Sequence, residues 1–209
     1  MTNRIRLGVL ISGSGRTLQN FLDLSDEGEL KADVVKVISS RPDVYGVKRA
    51  RDHGVETAVV EKADHDDTAG FSRAITRELE AADVDLVAMA GFLQFYRIPE
   101  RLRGRVMNIH PALLPSFGGK GYYGDRVHRA VLEYGCKVTG CTVHFADNEY
   151  DTGPIIVQKA VPVREGDDHD SLADRVFQKE LEAYPEAINL YAEDRLRIEG
   201  RRVRISGRA

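Results

Sequence analysis

Two polar side chains close the apolar run RVMNI at residues 105–109: Asn108 within it and His110 just beyond. In an extended strand, residues two apart share a face, and Pro111 and Pro115 stop regular structure immediately afterwards. An amide donor beside an imidazole suits a carbonyl oxygen that is becoming an oxyanion, and the imidazole can also supply a proton. A ring that is to be cationic near neutral pH needs a carboxylate neighbour. Asp151 in DNEYDTGP (147–154) is the candidate, because the Gly-Pro after it can turn its loop back to the strand end. His144 in VTGCTVHFA is an alternative partner or a satisfied core histidine, and the core reading is preferred.

A second constellation lies near the start. SGSGRT (12–17) falls between an apolar strand, RLGVLI (6–11), and a helical pattern beginning TLQNFLDL. Backbone N–H groups at a helix N-terminus, together with the helix dipole, favour an anion there. Gly13 and Gly15 allow close approach, and Ser14, Arg16 and Thr17 can add donors. A dinucleotide fingerprint needs a third glycine where Leu18 stands and an acidic residue after the second strand, where Ser39-Ser40-Arg41 occurs instead. The Lys-Ser/Thr of a phosphate loop is also missing, so a single phosphate monoester fits better. GGKGYYG (118–124) comes after a proline-rich loop and fits neither pattern. Further on, Leu172, Val176, Glu180 and Tyr184 succeed one another at steps of four, which puts Glu180 on the apolar stripe of a helix. An inward carboxylate wants a partner: an arginine of the protein, or the hydroxyls of a ligand.

The elements that must position these groups alternate. Apolar strands are expected at 6–11, 33–38, 57–60, 85–90 and 105–109, with helical patterns at 44–54 and 70–82 between them. Near-continuous apolar strands separated by helices predict a parallel sheet covered on both faces, a Rossmann-like α/β unit. In such a sheet, ligands bind beyond the carboxyl ends of the strands. After Pro115 the expected elements are a helix at 124–135 and two strands at 138–146 and 154–163, the second antiparallel to its neighbour. A helix at 171–184 comes next, capped by Asp170 or Ser171 and kinked or restarted at Pro185. The arginine-rich end, RLRIEGRRVRISGRA, reads as a solvated edge hairpin. One domain over 1–209 is expected, with halves of about 1–110 and 111–209.

At 209 residues, with 42% hydrophobic and 30% charged residues, the composition is that of an ordinary globular α/β protein. A net charge of −3 gives no basic field for nucleic acid. No apolar run approaches a membrane span and the N-terminus lacks a signal-peptide core, so no membrane partner is expected. Cys136 and Cys141 match no metal or redox spacing and read as two small core residues in a reducing, cytoplasmic compartment.

Taken in order, LISGSGRTLQ, SSRPDVYGVKRARDHG, VAMAGFL, VMNIHPALLPSF, GCTVHF and YDTGPIIVQ resemble the glycinamide ribonucleotide formyltransferase family, from about residue 6 to 192. The resemblance implies transfer of a formyl group from 10-formyltetrahydrofolate to the amine of a phosphoribosylglycinamide in de novo purine synthesis. It implies small-molecule substrates and no metal, and the oligomeric state stays open between monomer and homodimer. It gives Asn108, His110 and Asp151 the catalytic roles, with His110 kept protonated by Asp151. It puts the substrate phosphate on Gly15, Arg16 and Thr17, and the ribose on Glu180 with Gln178 nearby. Folate would be lined by Leu93, Gln94, Phe95, Tyr96 and Asn108 and by the loop Asp147, Asn148, Glu149, Tyr150 and Asp151. The chain departs from the family at Thr68 and Gln94, where arginines are usual, at Phe177, and in a longer 118–124 loop.

Rival readings are weaker. Methionyl-tRNA formyltransferase normally adds a C-terminal RNA-binding domain, and about 17 residues lie beyond position 192. Formyltetrahydrofolate hydrolase usually carries an N-terminal regulatory domain, whereas the first strand starts here by residue 6. An NADP-dependent oxidoreductase could use Arg41, but the third glycine is absent.

Overall fold

A computed structural model describes residues 4–207. The chain divides into two compact units, Met1–Met107 and Asn108–Ala209.

The first unit contains β1 (Ile5–Ile11), α1 (Arg16–Asp26), β2 (Ala32–Ser39), α2 (Tyr45–Asp52), β3 (Glu56–Val59), α3 (Thr68–Ala81) and β4 (Leu86–Met89). The strands run in the order β3-β2-β1-β4, and each adjacent pair is parallel. Alternation along β1 shows how the helices sit. A Cβ on Gly8 would lie 2.7 Å from Leu79 of α3, whereas a Cβ on Gly46 of α2 would lie 2.5 Å from Ile11. Residues 8 and 11 face opposite sides of a strand, so α2 and α3 cover opposite faces. Leu7, Val9, Leu10 and Ile11 are fully buried, as are Leu18, Phe21, Phe71 and Ile75 from the helices. The expected doubly covered parallel sheet is present.

β5 (Val106–His110) carries the chain across the division between the units. The second unit then holds α4 (Asp125–Tyr134), β6 (Val138–Phe145), β7 (Ile155–Pro162), α5 (His169–Ala192), β8 (Leu196–Glu199) and β9 (Arg202–Ile205). β6 and β7 are antiparallel, and β8 and β9 form the expected terminal hairpin. β9 meets β7 in parallel. Arg208 and Ala209 lie outside the described residues.

Three local expectations are corrected. α5 continues through Pro185 for seven more residues, to Ala192. Proline removes one N–H but leaves the rest of the ladder, and Tyr184, Pro185, Ala187 and Ile188 are all buried, so packing holds the helix. Its cap is Asp168, in neither of the expected positions. The Asp168 carboxylate accepts the Ser171 N–H at 2.8 Å while the Ser171 hydroxyl accepts the Asp168 N–H at 3.1 Å, a reciprocal capping box. Of the two cysteines, Cys141 is buried but Cys136 is partly exposed.

Candidate active site

Asn108 and His110 end β5 on one face, with His110 3% exposed. Beyond them the chain bends and returns to the same residues. Leu114-Pro115 is cis and Phe117 has φ +51°. Thr142 of β6 anchors this segment, since its hydroxyl donates to the Ala112 carbonyl at 2.7 Å and accepts the Leu114 N–H at 3.0 Å. The Phe117 carbonyl then accepts from His110 Nε2 at 2.8 Å.

Asp151 comes from the other side of the site. It takes φ +57°, a left-handed conformation that Asp tolerates better than most residues. Two residues on, a Cβ on Gly153 would lie 1.7 Å from the Phe145 carbonyl oxygen, so only glycine lets this turn lie against the end of β6. Asp147 shapes the same loop, accepting the Glu149 N–H at 3.0 Å and the Thr152 hydroxyl at 2.9 Å. The result brings the Asp151 Oδ2 atom 3.5 Å from His110 Nδ1. Asp151 Oδ1 lies 3.4 Å from the Asn108 amide nitrogen, and the Gly119 N–H donates to Oδ2 at 2.9 Å. The three side chains singled out by spacing and loop chemistry thus meet within one unit.

His144 joins them. It is 2% exposed, yet its Nε2 sits 3.2 Å from the Asn108 amide and 3.7 Å from Asp151. The preferred reading of a core histidine described its burial and missed its neighbours. The available signal was a ring interrupting an apolar strand end, Val143-His144-Phe145. Phe117 and Gly119, which act through backbone atoms, left no mark in residue type.

The electrostatics are balanced. Burial pushes the His110 imidazole below its ordinary value; the Asp151 charge and the Phe117 carbonyl pull it up without overcoming that, and His144 adds to the depression. The unliganded ring therefore does not start as the stable cation expected from its carboxylate neighbour alone. Both ring nitrogens nonetheless face oxygen acceptors, an arrangement that only imidazolium, donating twice, satisfies. Burial raises the Asp151 carboxyl, but the His144 and His110 rings and the Gly119 N–H outweigh it, so the carboxyl stays below its usual range and charged.

The remaining expected residues fall into two groups. In the first unit, Gly15 (φ +69°) precedes α1, which no side chain caps. A Cβ on Gly15 would lie 2.7 Å from the Gly46 Cα, so the loop crosses α2 at backbone contact. Arg49 supports the loop by donating to the Ser14 carbonyl at 3.0 Å. Arg16 is exposed and Thr17 buried. Leu93 is half exposed, while the buried Tyr96 hydroxyl bonds Thr76 at 2.8 Å. Burial pushes the Tyr96 phenol up to about 12. Ser12 ties these loops together: its buried hydroxyl meets the Ser40 hydroxyl at 2.6 Å and accepts the Leu93 N–H at 2.9 Å. In the second unit, Gln178 is exposed and Glu180 partly buried on α5. Burial, with the Glu180 charge nearby, pushes the Cys141 thiol up to about 12. Asn148, Glu149 and Tyr150 are exposed on the 147–152 loop. Among the described residues, no helix is long and apolar enough to cross a membrane, and no three His, Cys, Asp or Glu side chains form a metal-binding group.

The formyl transferase family pattern matches residues 5–188. The chain belongs to the formyl transferase family. Among relatives of this family member, the chloroplastic phosphoribosylglycinamide formyltransferase of Arabidopsis thaliana is 38% identical over 93% of the chain and 68% of its own length. The trifunctional purine biosynthetic protein adenosine-3 of Gallus gallus is also 38% identical, over 94% of the chain, and the chain spans only 19% of that protein's length. The glycinamide ribonucleotide transformylase 1 structure from Symbiobacterium toebii superposes on this formyl transferase with a TM-score of 0.92. That pair shares 47% identity over 98% of this chain and 95% of the other.

Proposed function

We propose that this formyl transferase moves a formyl group from 10-formyltetrahydrofolate to the amine of N1-(5-phosphoribosyl)glycinamide, a step of de novo purine synthesis, in the cytoplasm. The observation that carries the reading is the His110 ring held between the Asp151 carboxylate and the Phe117 carbonyl, with the Asn108 amide beside it. The substrate amine lone pair attacks the formyl carbon, a C–N bond forms, and the carbonyl electrons pass to oxygen. The Asn108 amide and the His110 imidazolium stabilise that oxyanion. Developing negative charge offsets the burial that disfavours the cation in the unliganded ring, so His110 holds its proton when the intermediate needs it. The attacking nitrogen loses a proton, the folate nitrogen gains one, and the bond between folate nitrogen and formyl carbon breaks to release tetrahydrofolate.

Gly15, Arg16 and Thr17 suit the substrate phosphate, since a helix N-terminus favours an anion and no side chain caps α1. Glu180, with Gln178 nearby, suits the ribose. Leu93–Tyr96, Asn108 and Asp147–Asp151 suit the pterin. An absorbance assay with 10-formyl folate donor tests the whole reading. Donor consumption should require glycinamide ribonucleotide. Equal consumption in its absence would make the protein a hydrolase instead.

A further inference from the structure

The turn that gives His110 its acceptor is gripped by two tyrosine rings, all within the second unit. Phe117 carries a bulky ring at φ +51°, a backbone region that such a residue keeps only where its surroundings hold it there. On the backbone side, the Phe117 carbonyl accepts from His110 Nε2 at 2.8 Å. On the side-chain side, the Phe117 ring meets Tyr122 edge to face, with centroids 6.2 Å apart and planes at 72°. It meets Tyr134 in the same way, at 6.0 Å and 78°. Both pairs have the tilted geometry that aromatic quadrupoles prefer. The two tyrosines come from separate elements. Tyr134 is the last residue of α4, a helix anchored by the buried Val127 and Val131. Tyr122 belongs to the 118–124 segment, where its N–H donates to the Gly119 carbonyl at 3.1 Å. The Gly119 N–H in turn donates to Asp151 Oδ2 at 2.9 Å. Tyr134 is 80% exposed, so burial in the core does not account for its ring. Among the described residues, neither tyrosine hydroxyl makes a hydrogen bond. What the two rings share is Phe117.

A ring held at two edges fixes the peptide that carries it, and here that peptide is the one on His110. Relaxation of Phe117 to a negative φ would relieve its backbone and swing its carbonyl away from Nε2. Gly118 and Gly119 follow with no side chains to resist the movement, so the resistance comes from the two aromatic contacts. We propose that Tyr122 and Tyr134 are positioning residues whose rings clamp Phe117 and so keep its carbonyl on His110 Nε2. They act through Phe117 and not on the substrate. The consequence for turnover rests on the proposed formyl transfer, whereas the consequence for the His110 ring does not.

The test compares Tyr122→Ala/Tyr134→Ala with Tyr122→Phe/Tyr134→Phe in the full chain. Two aromatic pairs of ordinary strength bias a population by about tenfold. The alanine pair should therefore lose about tenfold in kcat with glycinamide ribonucleotide and 10-formyl folate donor, while both KM values move much less. NMR of the His110 imidazole nitrogens in the unliganded protein should show titration at lower pH, since the Phe117 carbonyl favours the cation. The titratable groups that face His110 are Asp151, His144 and His128; neither change touches them, so the shift reports the carbonyl. The phenylalanine pair keeps both rings and should match the parent in kcat and titration. Tyr134→Ala alone, at an exposed position, should show a smaller loss of the same kind and serves if the double variant does not fold. An unchanged His110 titration in the alanine variants overturns the clamp, even where the melting temperature falls. Equal losses in the phenylalanine and alanine pairs would assign the effect to the hydroxyls and overturn it as well. A raised KM with unchanged kcat would make the tyrosines substrate contacts and end the positioning role. A shifted titration in a protein whose parent shows no turnover dependent on glycinamide ribonucleotide supports the clamp and sinks the proposed reaction instead.

Discussion

The Asn108 amide nitrogen lies 3.2 Å from His144 Nε2, and that bond runs in one direction. His144 Nδ1 donates to the Phe145 carbonyl at 2.9 Å, so in the neutral ring Nε2 is the acceptor and Asn108 the donor. The second amide proton faces Asp151. The carboxamide is therefore oriented through its nitrogen, and turning it would set its oxygen against a carboxylate.

Asn108→Ala removes the proposed neutral donor to the oxyanion. Loss of one such donor costs about 10²–10³ in kcat, and the KM values should move much less. Steady-state kinetics check this; an unchanged kcat would remove Asn108 from the chemistry.

Asp151→Asn keeps the size of the side chain and removes the charge that raises the His110 pKa. The ring should titrate still further below its ordinary value, read by NMR of the imidazole nitrogens. Turnover should fall by about 10²–10⁴, and the alkaline limb of kcat/KM should shift to lower pH. A limb that stays in place would mean that Asp151 does not govern the proton on His110.

Acid stability should carry the signature of the same pair. The His110 pKa is depressed from 6.5, so its unfolded form takes a proton first and stability declines as pH falls from 6.5 through the folded value. Asp151 is depressed from 3.8, so its contribution is whole above that pH and is lost as pH falls through its folded value. Urea unfolding against pH should thus weaken in two stages. Replacing His110 by Gln should shrink the upper stage, leaving the part owed to the buried His128 ring, which is depressed in the same direction.

Gly153→Ala forces a methyl group into the Phe145 carbonyl. The loop must shift, costing about 1–3 kcal/mol or more, and Asp151 moves with it. Both the melting temperature and kcat should fall. A stable, fully active variant would show that the turn tolerates displacement without disturbing the carboxylate.

Ser12→Ala strips the Leu93 N–H of its acceptor and leaves the Ser40 hydroxyl unpaired in a buried site. The cost should be about 1–3 kcal/mol. Adding Ser40→Ala should cost less than the sum of the two single changes, since the second change removes the stranded group. A double-mutant cycle by denaturant unfolding checks this; strict additivity would argue against the shared hydroxyl pair.

Much of this was legible in the sequence because it rests on periodicity. Leu7 to Ile11 is a strand buried on both faces, and an apolar run says so directly. Asn108 and His110 could be paired from a spacing of two, and Asp151 from the Gly-Pro just after it. Backbone partners were not legible: the Phe117 carbonyl and the Gly119 N–H carry no side-chain signature. His144 was hidden for another reason, because a buried ring looks the same in sequence whether it packs a core or orients an amide. Pro185 misled because helix propensity is local, whereas the burial of Tyr184 and Ile188 that keeps α5 whole comes from distant residues.

The knot at Ser12 bears on any attempt to rebuild the segment proposed for the pterin. Residues 91–96 look like a surface loop that could be transplanted from a cousin, but their first anchor is a hydroxyl contributed eighty-one residues upstream, itself answering to a second serine at the tip of β2. The transferable module is that three-part junction, and a graft that leaves positions 12 and 40 behind would inherit the shape of the loop without its footing.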